Sequence, residues 1–271
     1  MILQETLSLI KNKYPILFQS AIIEKVTFGL HFTAVKLSTG FCGMAKTETQ
    51  SYFNKTYNRK KDFSSFSAGK IIGQYVSDLF SCQTNSVLID VLKLAVLNAL
   101  SAEIMQKGDY KIIEDKDPIE LIELKDTDSI CIVGAFQSYI SKISKCSSKL
   151  FVVELDENAL DEEQKKYFVP AHQSKLAFSQ SDIIIITGST LVNNTLDELL
   201  KNISHDKQLI VVGPTGSIIP DIFFKHHVNI IGAIKIIDDE KMFHIIEEGG
   251  AGYHLFQYSC AKKICLLNAK N

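Results

Sequence analysis

The hydrophobic pattern changes character about halfway along the chain. In the second half, apolar residues form continuous runs that do not alternate with polar ones, as in strands buried on both faces. These runs are 130–135, 149–154, 182–187, 208–213 and 228–234. Segments with helical patterning lie between the runs or follow the last one: 138–145, 173–178, 195–202, 220–226 and 238–248. This alternation predicts an α/β fold with a Rossmann-like, doubly wound parallel sheet.

The first half has a different order of elements. The predicted strands are 21–30, 31–38 and 41–46, and the predicted helices are 2–10, 67–80 and 86–106. Links as short as Ser38-Thr39-Gly40 permit only an antiparallel meander. Strands followed by helices predict a smaller α+β domain. We therefore predict an α+β domain at 1–108, a connection at 109–127 with a short helix at 119–124, and the Rossmann-like domain at 128–271.

Charge and composition exclude several kinds of partner. The formal net charge is -2, and the basic run Arg59-Lys60-Lys61 is short, so neither nucleic acid nor a membrane surface is an expected partner. The apolar stretch 87–100 is too short to span a bilayer and is interrupted by charges. No basic segment precedes an apolar run at the N-terminus, and the six cysteines show no paired spacing. These features favour a cytoplasmic protein with free thiols.

Candidate chemistry is sought where the predicted parallel strands end, because open parallel sheets bind ligands there. Gly134 follows the first strand, but the three-glycine fingerprint of dinucleotide sites is missing. Glu154 lies twenty residues further on, where Rossmann proteins place an acid on a ribose. A solvated residue at a strand end explains Glu154 equally well.

The third strand is followed by a segment rich in hydroxyl and amide side chains. Its candidate ligand-binding residues are Thr187, Gly188, Ser189, Thr190, Asn193 and Thr195. Thr195 and Glu198 match a capping box. Gly188 permits close backbone approach, and the helix N-terminus offers N–H groups, so an anionic or polyhydroxylated ligand suits this segment. A turn that caps itself is the alternative for Ser189, Thr190 and Asn193.

Two further features indicate a site at the same ends of the predicted strands. The fourth strand ends in Gly213-Pro214-Thr215, a second hydroxyl-bearing loop that Pro214 stiffens. Asn98 places an amide among apolar residues of a predicted helix. It either bonds nearby backbone or faces the interface between the domains and the cleft. His226 and His227 are adjacent on a predicted helix and diverge, so they are not expected to chelate a metal together.

Three segments together resemble a known family: 182–200, Val211-Val212-Gly213-Pro214-Thr215 and Glu248-Gly249-Gly250. The family comprises uncharacterised prokaryotic proteins and is named "Putative heavy-metal chelation". The resemblance implies an N-terminal domain like that of enolase, a Rossmann-like C-terminal domain and a site between them. Positions that match its motifs are Asn98, Glu154, Thr187, Gly188, Thr190, Asn193, Thr195, Gly213, Pro214 and Thr215. The chain departs from the family pattern at Asn194, where glycine is expected, and at Gly216-Ser217.

Three functional hypotheses follow. The first is a small-ligand-binding protein with an interdomain cleft, acting in heavy-metal chelation or a metal-linked step, whose ligand is a metal ion or metal complex. The alternative is a transferase or oxidoreductase that uses a nucleotide-type cofactor, with Glu154 on its ribose. The third is a scaffold with a vestigial cleft that forms a homo-oligomer through its N-terminal sheet. No catalytic residue is identified, and cysteine ligation of a soft metal gains no support because no thiols cluster in the motifs.

Overall fold

The computed structural model describes residues 1–48, 64–84, 86–146 and 149–268, which form two sheets with flanking helices. The smaller sheet is an antiparallel meander of β1 (Ile23–Phe28), β2 (Phe32–Leu37) and β3 (Cys42–Lys46). The strands of the larger sheet are β4 (Ile112–Glu114), β5 (Ser129–Val133), β6 (Lys149–Glu154), β7 (Phe168–Pro170), β8 (Ile183–Thr187), β9 (Gln208–Val212), β10 (Ile230–Ile236) and β11 (Ala261–Leu267). The basic run at 59–61 lies outside the described residues.

The larger sheet has the strand order β4-β11-β10-β9-β8-β5-β6-β7. The strands from β5 to β10 pair in parallel, whereas β11 pairs antiparallel with both β10 and β4. The chain runs outward from β5 to β7, returns to β8, and then runs outward on the other side. This is the doubly wound order of Rossmann proteins, with its switch point between β5 and β8. The predicted fold class is confirmed.

The helices cover both sheets. They are α1 (Ile2–Lys13), α2 (Pro15–Ser20), α3 (Val76–Ser81), α4 (Val87–Lys107), α5 (Gln137–Ile143), α6 (Ser174–Ser179), α7 (Leu196–Lys201), α8 (Asp221–Lys225), α9 (Asp239–Glu247) and α10 (Gly252–Gln257). None of those helices is both long and apolar enough to cross a membrane.

The central helix α4 joins the two halves of the molecule. Residues 94–101 are all buried, because α4 packs on β2 and β3 and shares one hydrophobic core with strands of the larger sheet. Because all faces of α4 are buried along this stretch, its apolar residues are not confined to one face of the helix. Gly43 on β3 allows the contact, since a methyl group there would lie 2.2 Å from the Ala99 backbone nitrogen.

Several elements differ from the sequence prediction. The predicted helix 67–80 is reduced to α3, because Gly69 and Gly73 adopt φ values of 84° and 89° that end regular helix. The predicted helix at 119–124 is instead a 3₁₀ turn, Pro118–Leu121. Three strands were missed, namely β4, β7 and β11. Both β4 and β7 have only three residues, and Lys262 and Lys263 interrupt the apolar run of β11.

Glu5 links α1 to the end of α8. Its carboxylate lies 2.6 Å from Lys225 Nζ and 3.1 Å from His226 Nε2, and 3.2 Å from the terminal amine. The hydrogen bond from Lys225, followed by those from His226 and the amine, lowers the pKa of Glu5 from its ordinary 4.5 to about 2. Because the folded pKa is the lower one, this contribution to stability is present above pH 4.5 and is lost as the pH falls towards 2.

Glu5→Gln should therefore reduce the free energy of unfolding at pH 7 by at most about 1 kcal/mol, because the three partners of Glu5 are solvent-accessible. The difference from the wild-type chain should shrink as the pH falls from 4.5 towards 2. Urea denaturation at a series of pH values measures it. Glu24→Gln, at an exposed acid with no ion pair among the described residues, is the control. A Glu5→Gln deficit that is constant from pH 7 to pH 3 would contradict the assignment.

Candidate strand-end site

The loops that follow β5, β8 and β9 converge at the switch point of the larger sheet. Gly134, after β5, has φ 101°, and a methyl group there would lie 2.7 Å from Thr187 Cγ2. A methyl group at Gly188 would lie 2.6 Å from the backbone nitrogen of Gly216, in the loop after β9. Glycine at 134 and 188 therefore permits the three loops to touch. Strand ends at a switch point form the crevice in which doubly wound folds bind ligands.

Glu154 lies at the end of β6 and holds the neighbouring turn. Its Oε2 accepts a hydrogen bond from the Ala135 N–H at 2.7 Å, and its Oε1 accepts one from the Leu155 N–H at 2.7 Å. Both carboxylate oxygens therefore bind backbone, and the acid fixes the turn after β5. This geometry accounts for the acid at this position without a ribose.

Hydroxyl groups in the loop after β8 bond within that loop. Thr190 donates to the Thr187 carbonyl at 2.7 Å, and Thr187 Oγ1 donates to Ser189 Oγ at 3.3 Å. Thr195 Oγ1 donates to Asn193 Oδ1 at 2.7 Å. The predicted capping box of Thr195 is therefore wrong, because its hydroxyl serves Asn193 and makes no cap bond to α7. Asn194 has φ 58°, the conformation for which the family pattern's glycine is suited.

The loop after β9 is tied to the smaller sheet. Thr215 Oγ1 accepts a hydrogen bond from the Lys46 N–H at 3.0 Å. The Asn98 amide on α4 donates to the Met44 carbonyl at 2.7 Å and to the Thr215 carbonyl at 3.0 Å. Asn98 and Thr215 are only 2% exposed, so they join the two halves of the molecule and are themselves covered. Sequence reasoning missed Met44 and Lys46, which contribute backbone groups that any residue type carries.

The predicted site residues thus lie at or near the carboxyl ends of the parallel strands, but they differ in accessibility. Buried members are Asn98, Gly188, Thr190 and Thr215, and exposed or half-buried members are Glu154, Thr187, Ser189, Asn193, Thr195, Gly213 and Pro214. The second group is accessible to a ligand, and the first group is covered by its neighbours.

The buried cysteines do not provide a thiolate metal site. Burial raises the pKa of Cys42 and of Cys265 to about 12, so both thiols are protonated at neutral pH. Burial also raises the pKa of Cys131. Within residues 1–48, 64–84, 86–146 and 149–268, no three or more His, Cys, Asp or Glu side chains are grouped to hold a metal ion. Direct chelation of a soft metal by this part of the chain does not fit.

The fold defines a two-part α/β protein whose Rossmann-ordered sheet is joined to a small meander. The chain belongs to the DUF364 family, described as "Putative heavy-metal chelation", whose model matches residues 117–265. A second model with the same description, DUF4213, matches residues 15–101.

Similar proteins come from archaea and bacteria. An uncharacterized protein of Methanocaldococcus jannaschii is 30% identical over 127 residues, which are 46% of this chain and 48% of that protein. The match thus spans about half the length of this curated relative. A DUF364 protein of unknown function from Pyrococcus horikoshii has a crystal structure with TM-score 0.76 and 21% identity, covering 98% of this chain and 100% of that one. Another from Desulfitobacterium hafniense has TM-score 0.72 and 16% identity, covering 98% of each chain. At these identities, the two structures show the shared fold alone.

Proposed function

We propose that this protein binds a small, oxygen-rich anionic ligand in the strand-end crevice, and that a chelated heavy-metal ion is the cargo of that ligand. The observation that carries the proposal is the contact of three loops at the β5–β8 switch point, where Gly134 meets Thr187 and Gly188 meets Gly216. The ligand would take hydrogen bonds from hydroxyl and backbone N–H groups of these loops, replacing the bonds that the Thr187 and Thr195 hydroxyls make within the loop after β8. Both oxygens of the Glu154 carboxylate already accept N–H groups, so this acid is not available as a ligand for a free cation.

The chemistry of the cysteines supports a metal complex over a bare ion as ligand. Soft metals bind thiolates, and the buried thiols at positions 42, 131 and 265 stay protonated. A complex brings its own donor atoms and needs only hydrogen-bond donors from the protein. All six cysteines are free, which supports a proposed cytoplasmic location.

Isothermal titration with nickel nitrilotriacetate, free nitrilotriacetate and free nickel tests this function. We expect the complex to bind, and Glu154→Gln to weaken its affinity about tenfold, because glutamine can accept from only one of the two N–H groups that fix the 134–136 turn. Glu157→Gln changes an exposed acid three residues away and is the matched control. Equal affinity of Glu154→Gln and the control, or no heat with the complex, would refute the proposal.

The strand order also favours a second candidate, an enzyme with a nucleotide-type cofactor, because dinucleotide-binding folds share this order. Its test is a thermal-shift series with NAD, NADP and S-adenosylmethionine. A stabilisation by one of these compounds that disappears in Glu154→Ala would support the enzyme and count against a metal complex.

A further inference from the structure

A cavity lies at the amino ends of the parallel strands, opposite the strand ends that form the proposed crevice. Its volume is about 390 Å³, and it opens where β9 and β10 begin, between the ends of α7 and α8. A cavity of this size accommodates a small-molecule ligand. Because it is at the other end of the strands, it is a separate place from the proposed crevice.

The wall of this cavity, here called the basic cavity, carries an excess of lysine and histidine side chains that can donate hydrogen bonds. They are Lys201, His205, Lys207, Lys225, His226 and His227. Asp197 is the carboxylate among the lining residues, and its Oδ1 already accepts the Ile2 N–H at 2.8 Å. The polar groups of the wall are therefore mainly donors, and Leu200, Ile203 and Leu209 supply its apolar part.

Acids behind the wall satisfy some of these groups and leave others available. Lys225 and His226 share Glu5, and Lys207 lies 3.6 Å from Asp206. The Lys201 side chain, in the last turn of α7, makes no ion pair or hydrogen bond with any described residue. The rings of His205 and His227 stack on each other at 3.8 Å, and both residues are exposed.

Helix termini explain only part of this composition. Lys201 and Lys225 occupy the last turns of α7 and α8, where lysine complements the partial negative charge of the helix end. That explanation does not extend to His205, Lys207 and His227, which lie outside the helices. His227 also adopts φ 63°, and this conformation accompanies the stacking of its ring on His205.

We propose that the basic cavity binds a small multivalent oxyanion of the phosphate or carboxylate type. Lys201 and the stacked His205–His227 pair supply donors, and Lys207 and Lys225 complete the wall. Paired anionic oxygens suit this arrangement, because hydrogen bonds from charged donors to anionic oxygens are the stronger kind. Unlike a metal complex in the crevice, this ligand needs no metal.

Titration calorimetry of the full chain with pyrophosphate and with citrate, in a buffer free of phosphate and metal, tests the site. We expect binding of at least one of the two anions, and at least a tenfold loss of affinity in the double variant Lys201→Gln, His205→Gln. Both positions are exposed, so the double variant should fold, which circular dichroism checks. Lys175→Gln, at an exposed lysine outside the cavity, should bind as the wild type does.

The pattern of binding identifies the ligand class. Pyrophosphate alone indicates a phosphate site, citrate alone a carboxylate site, and both a site that selects charge; each supports the proposal if the double variant loses it. Failure of both anions to bind the wild type, or unchanged affinity in the double variant, overturns it. Glu154→Gln should leave this binding intact, so the crevice and the basic cavity can fail independently.

Discussion

Gly43→Ala is expected to lower the free energy of unfolding by about 3 kcal/mol or more, a large part of the stability of an ordinary domain. The added methyl group would lie 2.2 Å from the Ala99 nitrogen and 2.3 Å from the Ala95 carbonyl oxygen. Both are backbone atoms of α4, so no side-chain rotation relieves the overlap. The smaller sheet would have to move away from the helix that carries the shared core. Urea denaturation followed by circular dichroism measures the loss.

Gly40→Ala separates this effect from the general cost of replacing glycine. Gly40 has φ 87°, but a methyl group there meets nothing within 4 Å. Its substitution should cost only about 1–2 kcal/mol, from backbone strain. If Gly43→Ala unfolds at the same urea concentration as Gly40→Ala, the tight packing of β3 on α4 is incorrect.

Asn98→Leu is expected to cost about 3 kcal/mol, because it leaves two buried carbonyls without their donor. The Asn98 amide donates to Met44 and Thr215, and each unpaired buried group costs about 1–3 kcal/mol. The loss should appear as a lower urea midpoint. It should also accelerate hydrogen exchange at the Lys46 amide, which bonds Thr215 on the other side of the same interface.

Ser101→Ala is the matched control on the same helix. Ser101 is fully buried, and its hydroxyl has no hydrogen-bond partner among the described residues. Removing it should change stability by no more than about 0.5 kcal/mol or increase it slightly. A Ser101→Ala variant as unstable as Asn98→Leu would mean that helix burial, and not the amide bridge, governs the interface.

The core of the larger sheet could be predicted because its strands are buried on both faces. The four consecutive isoleucines at 183–186 predict a buried strand, which is β8. The same continuous apolar pattern located β5, β6, β9 and β10. Strands with an exposed face lack that signal. In β11, the two charged residues Lys262 and Lys263 make the sequence pattern typical of a surface segment. The segment is recognised as a strand by its pairing with β10 and β4. The proposed domain limits remain a prediction, although β4 shows that part of the predicted connection belongs to the larger sheet.

The candidate site was predictable as far as it depends on strand ends and glycines. Gly188 and Gly213 stood out because they follow apolar runs. The use of each polar group was not predictable, because it depends on which backbone lies opposite. Thr215 faces Lys46 N–H, 169 residues away in sequence. The stacking of His205 on His227 could not be predicted from the sequence either. The two rings are brought together by the packing of α8 against its neighbouring strands.

The pairing of β11 between β4 and β10 has a consequence for synthesis of the chain. Ile112 pairs with Leu266, so, among the described strands, β4 has no partner until β11 has been translated. The parallel strands β5 to β10 can associate earlier, whereas the edge formed by β4 and β11 must close last. A nascent chain released before β11 would therefore expose two strand edges, the far side of β10 and all of β4, to pairing with other chains.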